Sequence, residues 1–367
     1  MCANSPASLD RSPAPTRRRL LGALAAVLAL DARPARASGV TTTYPARLRP
    51  PAATDRGEPV ELDLPDGRLA GSLLLPAHLG LGASPDATAV DADAAARPPL
   101  VILAAGSGPV DRDGNSRAGL RTDAYLLLAR ALARAGIATL RHDKRGVGES
   151  LNAVRDPDAL GIDDYARDLA RWSALMHSEY GFGRIVLAGH SEGALVATLA
   201  AREAPIGGVA LVCGTGRRIG ALLRDQLAPR LDAGARADLD AVLADLEAGH
   251  APARLPASLD PWGEALFGGA SGSYLMRWMR HDPAADLAAL DLPALIVHGS
   301  TDRQLWPDDR ATLLAARPDA SARLIDGMCH VLKPAGADSA SQARAYHDAS
   351  LPVMPDLVAS LARFAAG

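Results

Sequence analysis

The chain reads as an α/β protein: a mainly parallel, doubly wound sheet with an antiparallel hairpin at one edge and a helical cap inserted late in the fold. Three observations predict this. From Pro99 onward, short continuous apolar runs alternate with helix-length segments, the pattern of parallel strands covered on both faces. Before them, alternating residues flank an Asp66-Gly67 turn, as in a hairpin. Residues 216–285 then break the alternation with helical runs and no strand-like one, as an insertion over one end of the sheet would.

Along the chain, the hairpin occupies the region around Asp66-Gly67 and ends near Pro76, and residues 77–98, rich in Ala, Asp, Gly and Pro, read as a long surface loop. Residues 100–105 form the first parallel strand, closed by Gly106. Residues 122–135 are a helix ended by Gly136, 137–141 a strand, 162–179 a helix and 185–188 a strand. The runs 208–213, 294–298 and 322–325 complete the sheet, while 217–231, 236–247 and 274–280 are the helical runs of the insertion. The organisation expected is a leader at 1–37, a core in two parts at 38–215 and 286–367, and a cap at 216–285.

A length of 367 residues at 48% hydrophobic is enough for one large domain with an insertion, and 4% aromatic residues means an aliphatic core. With a formal net charge of -3, no basic stripe and no interleaving of arginine with aromatics, nucleic acid is not an expected partner. Thr16-Arg17-Arg18-Arg19-Leu20-Leu21, an apolar stretch to Leu30 and Ala35-Arg36-Ala37 read as an export signal with its cleavage site, which predicts a periplasmic or secreted protein. The arginines followed by two leucines suit a twin-arginine signal as well as ordinary secretion. About eleven apolar residues are too few to span a bilayer, so no stable membrane anchor is expected. Removal of residues 1–37 takes away six arginines and two aspartates and leaves a more acidic chain. Cys213 and Cys329 follow non-adjacent strands and are expected as free thiols; no Cys or His cluster has metal-ligand spacing, and no cofactor is expected.

Gly189-His190-Ser191-Glu192-Gly193 stands between a strand-like run and a helical one, which puts Ser191 at the apex of a sharp turn as a candidate nucleophile. A serine hydroxyl needs a base, a carboxylate to orient that base and donors for a developing oxyanion. On such a sheet these come in the order Ser, acid, His, each after a strand. Asp302 follows the strand ending at His298, and His330 follows the next strand, so both fall where the order requires. Asp308, Asp309 and Asp326 compete with Asp302, and His298 and His190 compete with His330; His190 is expected to point away, because neighbouring side chains diverge at the turn. The backbone N–H groups of Ser107 and Glu192 are the expected oxyanion donors. Gly106-Ser107-Gly108-Pro109 lacks the third glycine of a dinucleotide loop, and Gly146-Val147-Gly148-Glu149-Ser150 lacks the lysine-serine ending of a phosphate loop. Glu192, Arg112-Asp113 and Asp143-Lys144-Arg145 read as ion pairs that hold loops beside the site.

With these residues placed, the chain resembles the α/β-hydrolase superfamily, in particular bacterial esterase-like members near the dienelactone hydrolase and serine aminopeptidase groups. The resemblance rests on residues 106–115, on Arg141-His142-Asp143-Lys144-Arg145-Gly146-Val147-Gly148-Glu149-Ser150, on 189–193 and on Gly327-Met328-Cys329-His330-Val331-Leu332-Lys333. It implies Ser191 as nucleophile, Asp302 as acid and His330 as base. Two departures stand out: Ala105-Gly106 where many relatives have His-Gly, and Cys329 where relatives of this subgroup often have asparagine. The activity expected is that of a carboxylesterase acting through an acyl-enzyme on a small-molecule ester with an apolar acyl group. Cap residues Trp262, Leu266, Phe267, Tyr274, Leu275, Trp278 and Met279 are the expected pocket. An aminopeptidase, amidase or thioesterase on the same fold, a non-catalytic binding protein and a cofactor-dependent oxidoreductase are the alternatives, and oligomeric state is left open.

Overall fold

In a computed structural model of the protein, the residues described are 56–76 and 97–367. The expected leader at 1–37 and residues 77–96 of the expected surface loop lie outside them. The hairpin expected at the Asp66-Gly67 turn is β1 (Glu58–Leu64) and β2 (Gly67–Leu74), paired antiparallel in register from Glu58 with Leu73 to Leu64 with Gly67. β3 (Leu100–Ala104), α1 (Ala124–Arg134), β4 (Ala138–His142), α2 (Ile162–Ser178), β5 (Ile185–His190), α3 (Glu192–Ala200) and β6 (Gly208–Val212) follow in strict alternation.

After β6 comes the insertion: α4 (Ile219–Leu227), α5 (Ala233–Glu247), α6 (Gly263–Phe267) and α7 (Gly269–Trp278), with no strand among them. α8 (Pro283–Ala288) crosses the expected cap boundary at residue 285. It packs on α3 and on α9 (Pro307–Ala316), and so lies with the helices that cover the sheet. β7 (Ala294–Gly299) precedes α9, and β8 (Ser321–Ile325), α10 (Ser339–His347) and α11 (Pro355–Ala366) end the chain. Aspartates close several helix starts: Asp232, Asp282 and Asp338 accept the N–H groups of Ala235, Ala285 and Ser341.

The eight strands form one sheet in the order β1-β2-β4-β3-β5-β6-β7-β8, antiparallel at β1, β2 and β4 and parallel from β4 to β8. Successive side chains of the central strands divide between two cores. Leu100, Ile102, Ala104, Ile185 and Leu187 join the one covered by α2, α3 and the cap, whereas Val101, Leu103, Val186 and Ala188 join the one covered by α1 and α11. That division is why these strands read as unbroken apolar runs. α3 is buried on every side, which accounts for its apolar sequence from Ala194 to Ala200. β8 closes the open edge with mostly exposed side chains. β3 lies between β4 and β5, so the chain reverses its direction of travel across the sheet there, and the loops after β3 and β5 part on either side of a crevice.

Trp172 on α2 is fully buried in the cap-side core, 5.9 Å from the His142 ring. Trp172→Ala should lower the unfolding free energy by about 3–5 kcal/mol, read as a lower midpoint in guanidinium chloride.

Candidate active site

β5 ends on His190 and α3 begins at Glu192, which leaves Ser191 alone in the turn with φ 56° and ψ -120°, a backbone position that side-chain-bearing residues rarely adopt. Its N–H donates to Val212 O on β6 at 3.0 Å. Two glycines make the turn possible: a Cβ on Gly189 would lie 1.9 Å from Gly193 O, and one on Gly193 would lie 2.3 Å from Ala104 O. The serine is thereby pressed between the ends of β3, β5 and α3. Gly106, the first residue of the candidate oxyanion loop, sits so close that a Cβ there would come within 3.2 Å of Ser191 Cβ.

His330 Nδ1 lies 2.8 Å from Asp302 Oδ2, with both side chains almost wholly buried. Asp302 Oδ1 also accepts the N–H groups of Gln304 at 2.8 Å and Leu305 at 3.2 Å. Burial works to raise the Asp302 pKa, but the adjacent imidazole and these donors outweigh it and hold the carboxyl below its ordinary value. Ser191 and His330 line the same two cavities, together with Ser107. Glu192 opens the first turn of α3, where backbone N–H groups have no partner within the helix, and it lines the smaller cavity.

The competing residues have other work. Asp309 is buried and accepts hydrogen bonds from Thr215, Arg217 and the Trp306 N–H. Asp326 is exposed and accepts from the Ser300 hydroxyl. His298 donates from Nε2 to Gly214 O, and burial lowers its pKa. Cys213 and Cys329 are buried free thiols. His190, Cys213 and His330 bring potential metal-ligating atoms within 4.8 Å of one another. Both ring nitrogens of His190 are engaged in hydrogen bonds, however, and burial first, then the Asp302 carboxylate, pushes the Cys213 thiol well above its usual pKa.

His190 spends both ring nitrogens on Tyr125 and the His330 carbonyl, and that destination was not legible. Gly106 N–H donates to Tyr125 Oη at 3.1 Å, the Tyr125 hydroxyl lies 2.8 Å from His190 Nδ1, and His190 Nε2 lies 2.8 Å from His330 O. The arrangement is satisfied throughout when the Tyr125 hydroxyl donates to Nδ1 and Nε2–H donates to the carbonyl. Burial, reinforced by His330, lowers the His190 pKa to about 3, so the ring is neutral. The loop after β3 and the candidate base are therefore joined by one polar chain through Tyr125, whose place in an amphipathic helix gave no sign of it.

The charged runs form ion pairs. Arg112 pairs with Asp143 and Glu149, Arg141 with Asp113, Arg145 with Asp168 and Asp66, and Lys144 with Glu192.

The expected cap pocket is only partly realised. Trp278 lines a smaller cavity beside Ser191, about 360 Å³ counting the open space at its mouth, with Ile219, Leu222, Leu223 and Leu305. Trp262, Phe267 and Tyr274 line neither this cavity nor the larger one: Trp262 stacks edge-on against Phe267, and Tyr274 packs on Tyr165 and Trp278. The reason is that the helices of the insertion must bury an apolar face, and these aromatics join the cap-side core that does so, Tyr274 against Tyr165 of α2. Leu266, Leu275 and Met279 are buried in the same core. A larger cleft, about 660 Å³ counting the open space at its mouth, lies between residues 106–125 and 330–346. Val110, Leu120, Tyr125, Val331, Leu332 and Tyr346 give it apolar walls.

Gly193→Ala should destabilise the fold by about 1–3 kcal/mol or more through collision with β3, measured by thermal melting. A second expectation concerns acid. Burial holds His142 down to about 4 and His190 to about 3, whereas both imidazoles titrate near 6.5 when unfolded. Below about 6.5 the unfolded chain takes up protons that the folded chain does not, so stability is complete above that pH and is lost as pH falls toward 4. Melting temperature should drop over this window, and His142→Gln should make the drop shallower.

The family model described as "Serine aminopeptidase, S33" matches residues 116–232, a span that holds Ser191 but neither Asp302 nor His330. Esterase EstD of Thermotoga maritima is 25% identical over 238 residues, 64% of this chain and 54% of that protein, so the chain spans about half the length of the curated relative it matches. Among solved structures, DcsB in complex with its substrate analogue aligns over 84% of this chain and 98% of its own, with a TM-score of 0.51 at 16% identity. Est1E from Butyrivibrio proteoclasticus with ferulic acid aligns over 83% and 99%, with a TM-score of 0.49 at 16% identity. The DcsB likeness extends over nearly the whole of that chain; with the mainly parallel sheet and the serine turn between β5 and α3, it shows that this chain has the α/β-hydrolase fold.

Proposed function

We propose that the protein is a serine hydrolase that cleaves carboxylic esters with small apolar acyl groups. The observation that carries this reading is the buried His330–Asp302 hydrogen bond beside a serine held in a strained turn, with all three residues at the carboxyl ends of parallel strands. In the proposed reaction Ser191 Oγ attacks the ester carbonyl while His330 takes its proton, and Asp302 stabilises the resulting imidazolium. The N–H groups of Ser107 and Glu192 receive the oxyanion. His330 returns the proton to the departing alcohol, and water attacks the acyl-enzyme by the same route in reverse roles. The two cavities that meet at Ser191 divide the substrate between a larger apolar cleft and a smaller chamber under the cap. On the strength of residues 1–37, we place the reaction outside the cytoplasm.

An aminopeptidase reading has the matching family model in its favour, but it requires a carboxylate to hold the substrate ammonium. Among the described residues, the sole carboxylate lining these two cavities is Glu192, already paired with Lys144. Of the cap acids, Asp240 and Glu247 pair with Arg224, and Asp245 and Glu264 line neither cavity. Ester chemistry fits this lining better.

Ser191→Ala should reduce turnover of a p-nitrophenyl acyl ester by about 10⁴-fold or more and abolish labelling by a fluorophosphonate; an active variant would defeat the proposal. Trp278→Ala should enlarge the smaller cavity and shift kcat/KM toward longer acyl or alcohol chains by about tenfold relative to the shortest ester, measured across an ester series.

A further inference from the structure

We propose that Lys144, anchored by Glu192, is a positioning residue that aims the Ser107 N–H into the oxyanion site. The proposal rests on the ester-hydrolase reading and assigns a role to an ion pair that this reading leaves unused.

Lys144 Nζ donates to Gly106 O at 2.6 Å and lies 3.2 Å from Glu192 Oε1, with both side chains almost fully withdrawn from solvent. The lysine also sits 5.1 Å above the Tyr165 ring, whose π-face favours a cation. Gly106 O and Ser107 N–H belong to one peptide group. Because that group is planar and trans, its carbonyl and its N–H point in opposite directions, so fixing the oxygen fixes the hydrogen. The lysine holds the oxygen on one side of the loop; the N–H is thereby directed to the other.

The preceding peptide is fixed as well, because Gly106 N–H donates to Tyr125 Oη. With no side chain at Gly106, these two hydrogen bonds set the conformation of a residue that would otherwise be free to turn. A charged donor on the carbonyl also polarises the amide, which strengthens the N–H as a donor in a site of low dielectric. Glu192 closes the arrangement. Its backbone N–H is the second expected oxyanion donor and its carboxylate holds the lysine, so the two donors are coupled through a single buried ion pair.

A pair that served only to stabilise the fold would change melting temperature and leave catalysis by correctly folded molecules untouched. The test measures kcat and KM on a p-nitrophenyl ester for the full chain and for Lys144→Met, Lys144→Arg and Glu192→Gln, each normalised to active serine by fluorophosphonate titration. Affinity for a trifluoromethyl ketone, which forms a tetrahedral serine adduct, is measured in parallel, with melting curves for every variant. Lys144→Met should lose about 10–100-fold in kcat with KM within about threefold, and inhibitor affinity should weaken by a similar factor. Glu192→Gln should move both quantities in the same direction by about tenfold, and Lys144→Arg should recover most of the loss. Wild-type kcat and inhibitor affinity in titrated Lys144→Met would overturn the proposal. If that variant does not fold, unchanged values in Glu192→Gln would overturn it equally. An unmodified chain that turns over no ester would remove the hydrolase reading and the proposal with it, whereas an active wild type with indifferent variants removes the proposal alone.

Discussion

The structure depends on a backbone approach that tolerates no Cβ at two points. Gly193 lies against the carbonyls of Ala104 and Ala105, and Gly189 against the carbonyl of Gly193. Those contacts bring the end of β3, the end of β5 and the start of α3 into one place. They also force Ser191 into its positive-φ conformation. The loop after β3 thus begins directly beside the serine, and the first free N–H groups of α3 begin directly after it. No single hydrogen bond could achieve this arrangement, because hydrogen bonds permit a range of distances that a steric limit does not.

Around that fixed point, several buried polar groups bridge defined partners. Asp302 receives three donors, His190 bridges Tyr125 and the His330 carbonyl, and Lys144 bridges Gly106 and Glu192. Buried polar groups of this kind contribute little net stability and are costly when one member is lost, so they specify one arrangement rather than merely favouring a compact one.

The parts of this molecule that were legible in the sequence are those where one local rule dominates. Central strands such as Leu100–Ala104 and Ile185–His190 are buried on both faces and show as continuous apolar runs. The serine turn announces itself because glycine is sterically required on both sides, and Asp302 and His330 follow from the order of the strands. Other features depend on tertiary neighbours. Trp262, Phe267 and Tyr274 have the size and apolarity of pocket residues, and composition alone does not distinguish a pocket wall from the core of a small helical insert. Tyr125 reaches His190 across 65 residues of chain, and its spacing in α1 marks it only as a buried aromatic. Lys144 was recognisable as half of an ion pair, but its second contact, a carbonyl oxygen, leaves no trace in a sequence. The short helices α6 and α8 likewise have too few turns to establish a period.

Asp309 ties the insertion to the sheet layer. One carboxylate, fully shielded from solvent at the start of α9, collects Thr215 and Arg217 from the root of the insertion and the Trp306 N–H from its own helix. Arg217 also lies over the Trp306 ring at 5.6 Å. The first stalk of the cap is therefore riveted to the sheet layer. Where Thr215 lines the smaller cavity, its position is therefore set by this buried carboxylate as well as by apolar packing.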